Sequence, residues 1–464
     1  MWRMTATEIR DAVRAGEVSA LGVVRSCLGR IAELNPAINA VSVVLQEQAE
    51  DAAIRIDAAR ARGDKLGSLA GVPVTVKEAI HVAGVATTFG IPRLRHLLPA
   101  VDAPPVRNLR AAGAIPIAHT NLSDLSIGGT NTRSQLYGTT LNPWDVTRSP
   151  GGSSGGDGAA VAVGMAPLGL GNDSGGSVRL PAMFCGITAL KPTYGRFPAD
   201  HRVGDDEPTL ASQLFPVDGP FARTVADLAT AFGALAGDEP IDPRTSPVPL
   251  QGEPLSAPVR VGVVADPGGR GVDPSVVDAI TRAADALRDA GYDVEEVEVP
   301  RLEDSLNGYH TLINTEFGLA WPRIRPLLTD ESATHLERSM SEHPPADLAG
   351  YIAATALRHS VVRDWKQFQV RYPLMLGPVN TQPAGPADSS DPAPPTLEHP
   401  LRLCSATTFA GVPALAVPTG IHRGMPTGVQ VIGRHYREDL CLAAAQAIES
   451  AVGVLAPTDP QLAH

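Results

Sequence analysis

The chain lacks any uninterrupted apolar run of the about 18 residues that a membrane-spanning helix needs, so no membrane association is expected. Its opening residues, Met-Trp-Arg-Met-Thr-Ala-Thr-Glu-Ile-Arg, hold no apolar signal core and pass straight into helical periodicity. Cysteine is scarce. Cys27, Cys185, Cys404 and Cys441 lie far apart, with neither C-x-x-C nor Cys/His ligand spacing. They read as buried free thiols, which leads to the expectation of a reducing, cytoplasmic setting. Basic residues are outnumbered 38 to 50, and the net charge of −12 with no basic run argues against a nucleic-acid partner. The twelve histidines show no H-E-x-x-H or other paired spacing, so neither a metal nor an organic cofactor is expected.

What is present is an ordinary globular composition, 43% apolar and 19% charged over 464 residues. Residues 5–35 read as two helices, the second capped by Ser19, and 47–62 as a third. In 71–77 the alternation places Val72, Val74 and Val76 on one face and Pro73, Thr75 and Lys77 on the other. Short apolar strands at 114–118 and 167–171 bracket an Ala/Val helix at 157–164. A strand–helix–strand unit follows over 259–299, and two strands at 413–418 and 428–433 close the chain. Helices alternating with short strands predict an α/β fold, with a large, mixed, mostly parallel sheet between helix layers. One domain over 1–464 is expected. It comprises N-terminal helices (1–62), a motif-bearing core (63–236), a proline-rich surface connection (237–258) and the rest of the sheet (259–464).

The densest signal runs from Ser149 to Arg179, where glycines flank Ser153 and Ser177, 24 positions apart. The spacing is not G-x-G-x-x-G, and no G-K-[ST] is present, so nucleotide-binding loops are excluded. Strand 167–171 feeds Asn172-Asp173-Ser174-Gly175-Gly176 and then a helix that begins near Ser177, with Pro181 in its first turn. Ser177 thus stands at a strand-to-helix corner, where backbone N–H groups lack helical partners. The N–H groups of Ser174, Gly175, Gly176 and Ser177 are candidates to hold an oxyanion. A serine hydroxyl needs a neighbouring base to attack a carbonyl. Lys77, ending a valine-rich strand, is placed for burial and so for a lowered pKa. The combination points to acyl transfer.

These blocks carry a resemblance. Gly71-Val-Pro-Val-Thr-Val-Lys77, Gly151-Gly-Ser-Ser-Gly-Gly156 and Asp173-Ser-Gly-Gly-Ser-Val-Arg179 resemble the amidase signature family in order and spacing. Arg30-Ile-Ala-Glu-Leu-Asn-Pro-Ala-Ile-Asn39 and Gly424-Met-Pro-Thr-Gly-Val-Gln-Val-Ile-Gly-Arg434 extend the likeness over nearly the whole chain. The resemblance implies a Ser–cis-Ser–Lys triad, with Ser177 as nucleophile, Ser153 as bridging serine, Lys77 as base and the Gly152–Ser153 peptide cis. It implies hydrolysis of a carboxylic amide to acid and ammonia or amine through an acyl-enzyme, on a small-molecule substrate and with a homodimer possible. The alternatives are the ammonia-releasing component of a glutamyl-tRNA amidotransferase, which works beside a partner chain, and a non-catalytic binding relative.

Ser154, Asp173 and Arg179 are expected to support the triad. Asn121, Ser123 and Arg148 occupy family-like positions around a pocket, and Glu78 stands where the family often has Asp. Asp157, where the family commonly has serine, reads as a helix-start choice of little consequence. Leu180 after Arg179 argues for an uncharged or hydrophobic acyl group. Leu180, Asn121 and Trp321 are the expected pocket residues, Trp321 being one of several aromatics (Tyr309, Phe317, Trp365, Phe368, Tyr372) concentrated in 301–380.

Overall fold

The valine alternation around Lys77 becomes an interior strand. In the computed structural model, residues 1–127, 130–203, 206–237, 242–388, 399–456 and 459–460 are described. The strands in chain order are β1 (Val41–Val44), β2 (Pro73–Lys77), β3 (Ile115–Thr120), β4 (Arg133–Ser134), β5 (Gly138–Thr139) and β6 (Leu168–Asp173). They continue with β7 (Thr188–Lys191), β8 (Val217–Ala222), β9 (Arg260–Val263), β10 (Asp293–Glu296), β11 (Leu374–Gly377), β12 (Ala414–His422) and β13 (Met425–Gly433). Apart from the small β4–β5 pair, the described strands form one eleven-stranded sheet, in the order β1-β3-β2-β6-β8-β7-β12-β13-β11-β9-β10. Strands from both sides of the 237–258 connection share that sheet.

The sheet is mixed. β3, β2 and β6 run parallel, as do β11, β9 and β10, each group joined through helices. The strands between them pair antiparallel, because β12 and β13 are a direct hairpin and β7 and β8 pair as consecutive strands. Helices cover it: Ala6–Ala15, Ala20–Ile38, Gly155–Ala162, Arg179–Cys185, Pro274–Asp289 and Glu438–Val452 contribute to one large apolar core with Val74, Val76 and Leu170. Ser19 caps the second helix by accepting from the Gly22 N–H, as expected.

A second core gathers Phe215, Tyr309, Leu312, Trp365 and Phe409 beneath helices Leu302–Ile324, Leu348–Arg371 and Arg402–Ala410. Truncating a buried aromatic of this kind costs about 3–5 kcal/mol. That packing fixes the helix carrying Tyr309 over the loop that holds Ser174 and Ser177. Among the described residues, no helix is long and apolar enough to cross a membrane.

Candidate active site

The parallel trio β3-β2-β6 brings three carboxyl-terminal strand ends to one edge, the position where open α/β sheets place their ligands. Lys77 ends β2, Thr120 ends β3 directly opposite it, and Asp173 ends β6. Lys77 is completely buried, and its Nζ donates to Ser153 Oγ at 2.7 Å. Burial pushes its pKa down to about 8, against the pull of the Asp157, Asp218 and Asp173 carboxylates. At that pKa about a tenth of the lysine population is neutral at pH 7, far more than for a lysine of ordinary pKa.

Asp157, in the first turn of helix Gly155–Ala162, is more than a helix-start choice. Its carboxylate is fully buried and accepts from Thr75 Oγ1 at 2.8 Å and Thr120 Oγ1 at 2.7 Å. Thr75 lies two residues before Lys77 on the same face of β2, so the acid sits beneath the lysine. Burial pushes Asp157 up to about 7, against the threonine hydroxyls and Lys77. Its charge is the largest influence opposing the desolvation of Lys77. The reading of this position as inconsequential is corrected accordingly: a carboxylate replaces an uncharged side chain where the local dielectric is low.

Ser153 is held on a loop anchored at each step. Ser149 Oγ donates to the Thr130 carbonyl (2.6 Å), Thr132 Oγ1 to the Gly151 carbonyl (2.8 Å), and the Gly155 N–H to Thr132 Oγ1 (3.0 Å). The Gly152–Ser153 peptide is cis. At Gly152 a Cβ would stand 2.1 Å from the Asn131 carbonyl oxygen, so only glycine fits. Ser154 ties this loop to the second serine: its N–H donates to the Ser177 carbonyl (3.3 Å) and its Oγ to the Asn172 carbonyl (3.3 Å). Its partners are backbone atoms, a supporting role. Ser177 itself is half-buried.

The corner around Ser177 is organised by Asp173. One oxygen of this buried carboxylate accepts from the N–H groups of Gly175 (3.2 Å) and Gly176 (2.7 Å), the other from Val178 (3.2 Å) and Arg179 (3.3 Å). Arg179 adds a bidentate pair at 2.9 Å through Nε and Nη2. Burial alone would raise the Asp173 pKa, but the guanidinium charge and these donors outweigh it and hold the carboxyl well below its ordinary range. The helix starts at Arg179, two residues later than expected, because Asp173 rather than the turn itself satisfies its first donors.

The four-donor oxyanion hole is therefore corrected. A buried carboxylate must be hydrogen-bonded, and Asp173 engages Gly175 and Gly176. Among the described residues, the N–H groups of Ser174 and Ser177 donate to no protein atom. Gly176 adopts φ 130°, a conformation that disfavours any residue with a side chain.

Arg179 is locked in turn by Thr407 Oγ1 (2.7 Å), Gln430 Oε1 (3.0 Å), Thr408 Oγ1 (3.3 Å) and the Cys404 carbonyl (3.3 Å). Tyr309 donates its hydroxyl to the Ser174 carbonyl at 2.9 Å and borders Gly175, while Leu401 and Cys404 border Gly176.

Two expected pocket residues are corrected. Leu180 is fully buried within the main core, because helix Arg179–Cys185 is buried at every position and turns no face to a pocket. Asn121 is a brace: its Nδ2 donates to the Gly138 carbonyl and Thr140 Oγ1, and its Oδ1 accepts from the Leu122 N–H and Ser134 Oγ. Ser123 likewise donates to the Asn131 carbonyl at 2.6 Å, and Arg148 is exposed, its Nη1 reaching the Ala384 carbonyl. Trp321 is half-buried, with Phe317 and Met340, in a satellite cluster beside Leu125 and Ile127. Glu78 turns away from the lysine and accepts from Thr88 and Tyr137. Trp365 is a core residue, and Phe368 packs against the same core.

Linear spacing also hid one cluster. His310, His343 and His399 lie together, His310 being one residue beyond the Tyr309 that touches the Ser174 carbonyl.

Three comparisons bear on this geometry. The family model described as Amidase matches residues 22–442. The chain is 39% identical over 461 residues to an indoleacetamide hydrolase of Bradyrhizobium diazoefficiens, covering 98% of this chain and 88% of that protein. It is 38% identical over 372 residues to an indoleacetamide hydrolase of Bradyrhizobium japonicum, covering 79% of this chain and 80% of that protein. A solved structure of 6-aminohexanoate cyclic dimer hydrolase superimposes with a TM-score of 0.84 at 28% identity, over 100% of this chain and 99% of that one. A buried lysine at the end of β2, bonded to a glycine-flanked serine within a chain matched over nearly its whole length by such relatives, leaves one conclusion: this protein belongs to the amidase family and is a hydrolase of carbon–nitrogen bonds in carboxylic amides.

Proposed function

We propose that Ser177 is the acylated nucleophile, Ser153 the proton relay and Lys77 the base. The observation that carries this reading is the 2.7 Å hydrogen bond from a fully buried Lys77 to Ser153. Ser177 Oγ attacks the amide carbonyl carbon while its proton passes through Ser153 to neutral Lys77. The tetrahedral oxyanion is held by the N–H groups of Ser177 and Ser174, the donors that Asp173 leaves open. Lys77 returns the proton through Ser153 to the departing nitrogen as the C–N bond breaks, releasing ammonia or amine. Water then attacks the acyl ester, gives a proton to the same lysine, and the collapse restores the Ser177 hydroxyl.

The substrate class we infer is a small, uncharged amide with an apolar acyl group, such as an arylacetamide. Tyr309, Leu401 and Cys404 around the loop are uncharged, and the buried charges Asp173 and Arg179 satisfy each other. The indoleacetamide hydrolase relative supports the same class. The cytoplasm is the proposed compartment, in keeping with four free, buried cysteines.

The test is ammonia release from indoleacetamide, phenylacetamide, aliphatic amides and glutamine, with Ser177→Ala and Lys77→Ala alongside. Turnover of arylacetamides lost in both variants is the expected result. Turnover of glutamine alone, and only with a partner chain present, would replace this reading by that of an amidotransferase component.

A further inference from the structure

Outside the catalytic machinery, three imidazoles converge from distant parts of the chain. His310 lies within helix Leu302–Ile324, His343 caps the C-terminus of helix Asp330–Glu342, and His399 stands just before helix Arg402–Ala410. Ring centroids are 4.4 Å apart for His310–His343, 4.2 Å for His310–His399 and 6.0 Å for His343–His399. One ring nitrogen from each lies within 4.8 Å of the other two.

His310 is 4% exposed, yet among the described residues neither of its ring nitrogens has a hydrogen-bond partner. Buried imidazoles ordinarily find a partner.

We propose that His310, His343 and His399 form a three-imidazole site for a borderline divalent transition metal of the zinc class. The donor set holds nitrogen and no carboxylate oxygen, which suits zinc, nickel or copper and not calcium or magnesium. Zinc–nitrogen bonds of about 2.0–2.1 Å put tetrahedral donors about 3.4 Å apart. The His310 and His343 rings are stacked at 12° between planes, so metal binding requires the half-buried rings of His343 and His399 to turn about their side-chain torsions until the three donors face one point.

The site would act as a brace. The residue before His310 is Tyr309, which holds the Ser174 carbonyl. The helix after His399 supplies Thr407, Thr408 and the Cys404 carbonyl to Arg179. A metal joining the two would tie both flanks of the nucleophile loop.

The experiment uses the full chain, stripped by chelator and then titrated with Zn²⁺ against a chromophoric competitor. Co²⁺ absorption and thermal unfolding are read in parallel. The expected result is one metal per chain, visible d–d bands from a nitrogen-rich, four-coordinate cobalt, and a metal-dependent rise in Tm. Affinity should fall about tenfold or more in His343→Ala and in His399→Ala, and stay unchanged in the exposed control His422→Ala. Equal zinc affinity in the wild type and the His343→Ala/His399→Ala double variant would overturn the proposal. So would a wild-type cobalt spectrum indistinguishable from the aquo ion, a result that needs no folded variant.

Discussion

The buried pair Lys77–Asp157 makes the pH dependence of activity a quantitative test. With Lys77 at about 8, the neutral fraction is about 0.09 at pH 7 and about 0.91 at pH 9, from 1/(1 + 10^(pKa − pH)). The base works only when neutral, so kcat/KM for an arylacetamide should rise about tenfold between those pH values and level off above. The sign follows from desolvation: burial disfavours the ammonium, so the rise begins well below the ordinary lysine range.

Asp157→Asn then separates causes. The amide keeps one acceptor and one donor for Thr75 and Thr120 but loses the charge that most opposes this desolvation. The inflection should therefore move to lower pH, by about one unit or more. Initial rates of ammonia release from pH 6 to 10, at substrate well below KM, give both curves. A profile flat over that range, or an inflection that moves upward in Asp157→Asn, would refute the assignment of Lys77 as a base tuned from beneath.

Other consequences follow from named contacts. Arg179→Ala leaves the buried Asp173 carboxylate unpaired and should cost about 3–5 kcal/mol, read as a lower denaturant midpoint. Arg179→Lys should recover little of it, because a single ammonium cannot replace the bidentate fork and the bonds to Thr407 and Gln430. Gly152→Ala drives a methyl into the Asn131 carbonyl and should abolish turnover, with soluble yield and circular dichroism reporting whether the fold survives. Tyr309→Phe removes one hydrogen bond to the Ser174 carbonyl, worth about 0.5–1.5 kcal/mol or roughly 2- to 13-fold. The loss should appear in kcat more than in KM, since the bond positions the loop of the proposed nucleophile.

What the sequence disclosed is what neighbouring residues encode together. Alternation alone placed Lys77 on the face of β2 opposite Val74 and Val76, and the strand-to-helix corner around Ser177 was written in a contiguous Gly-Gly-Ser. The long-range partners were not legible. Asp157 meets Thr75 and Thr120 across 82 and 37 residues, and Tyr309 meets Ser174 across 135. Nothing local marks either meeting. Leu180 misled for a different reason: a short helix buried on all sides makes an apolar residue a matter of core packing, whatever the substrate. Gly175 and Gly176 stand in the sequence where oxyanion donors belong, yet the carboxylate two and three residues before them takes both N–H groups. The aromatic excess in 301–380 reports chiefly the second core, with Tyr309 as its link to the site.

The most direct test of the central claim is to trap the acyl-enzyme. The protein is mixed with a slowly hydrolysed arylacetyl ester, quenched in acid during the burst, and the adduct is mapped by peptide mass spectrometry. One acyl group per chain is predicted, on Ser177, absent in Ser177→Ala and formed far more slowly in Lys77→Ala. An adduct on Ser153, or full turnover by Ser177→Ala, would contradict that assignment.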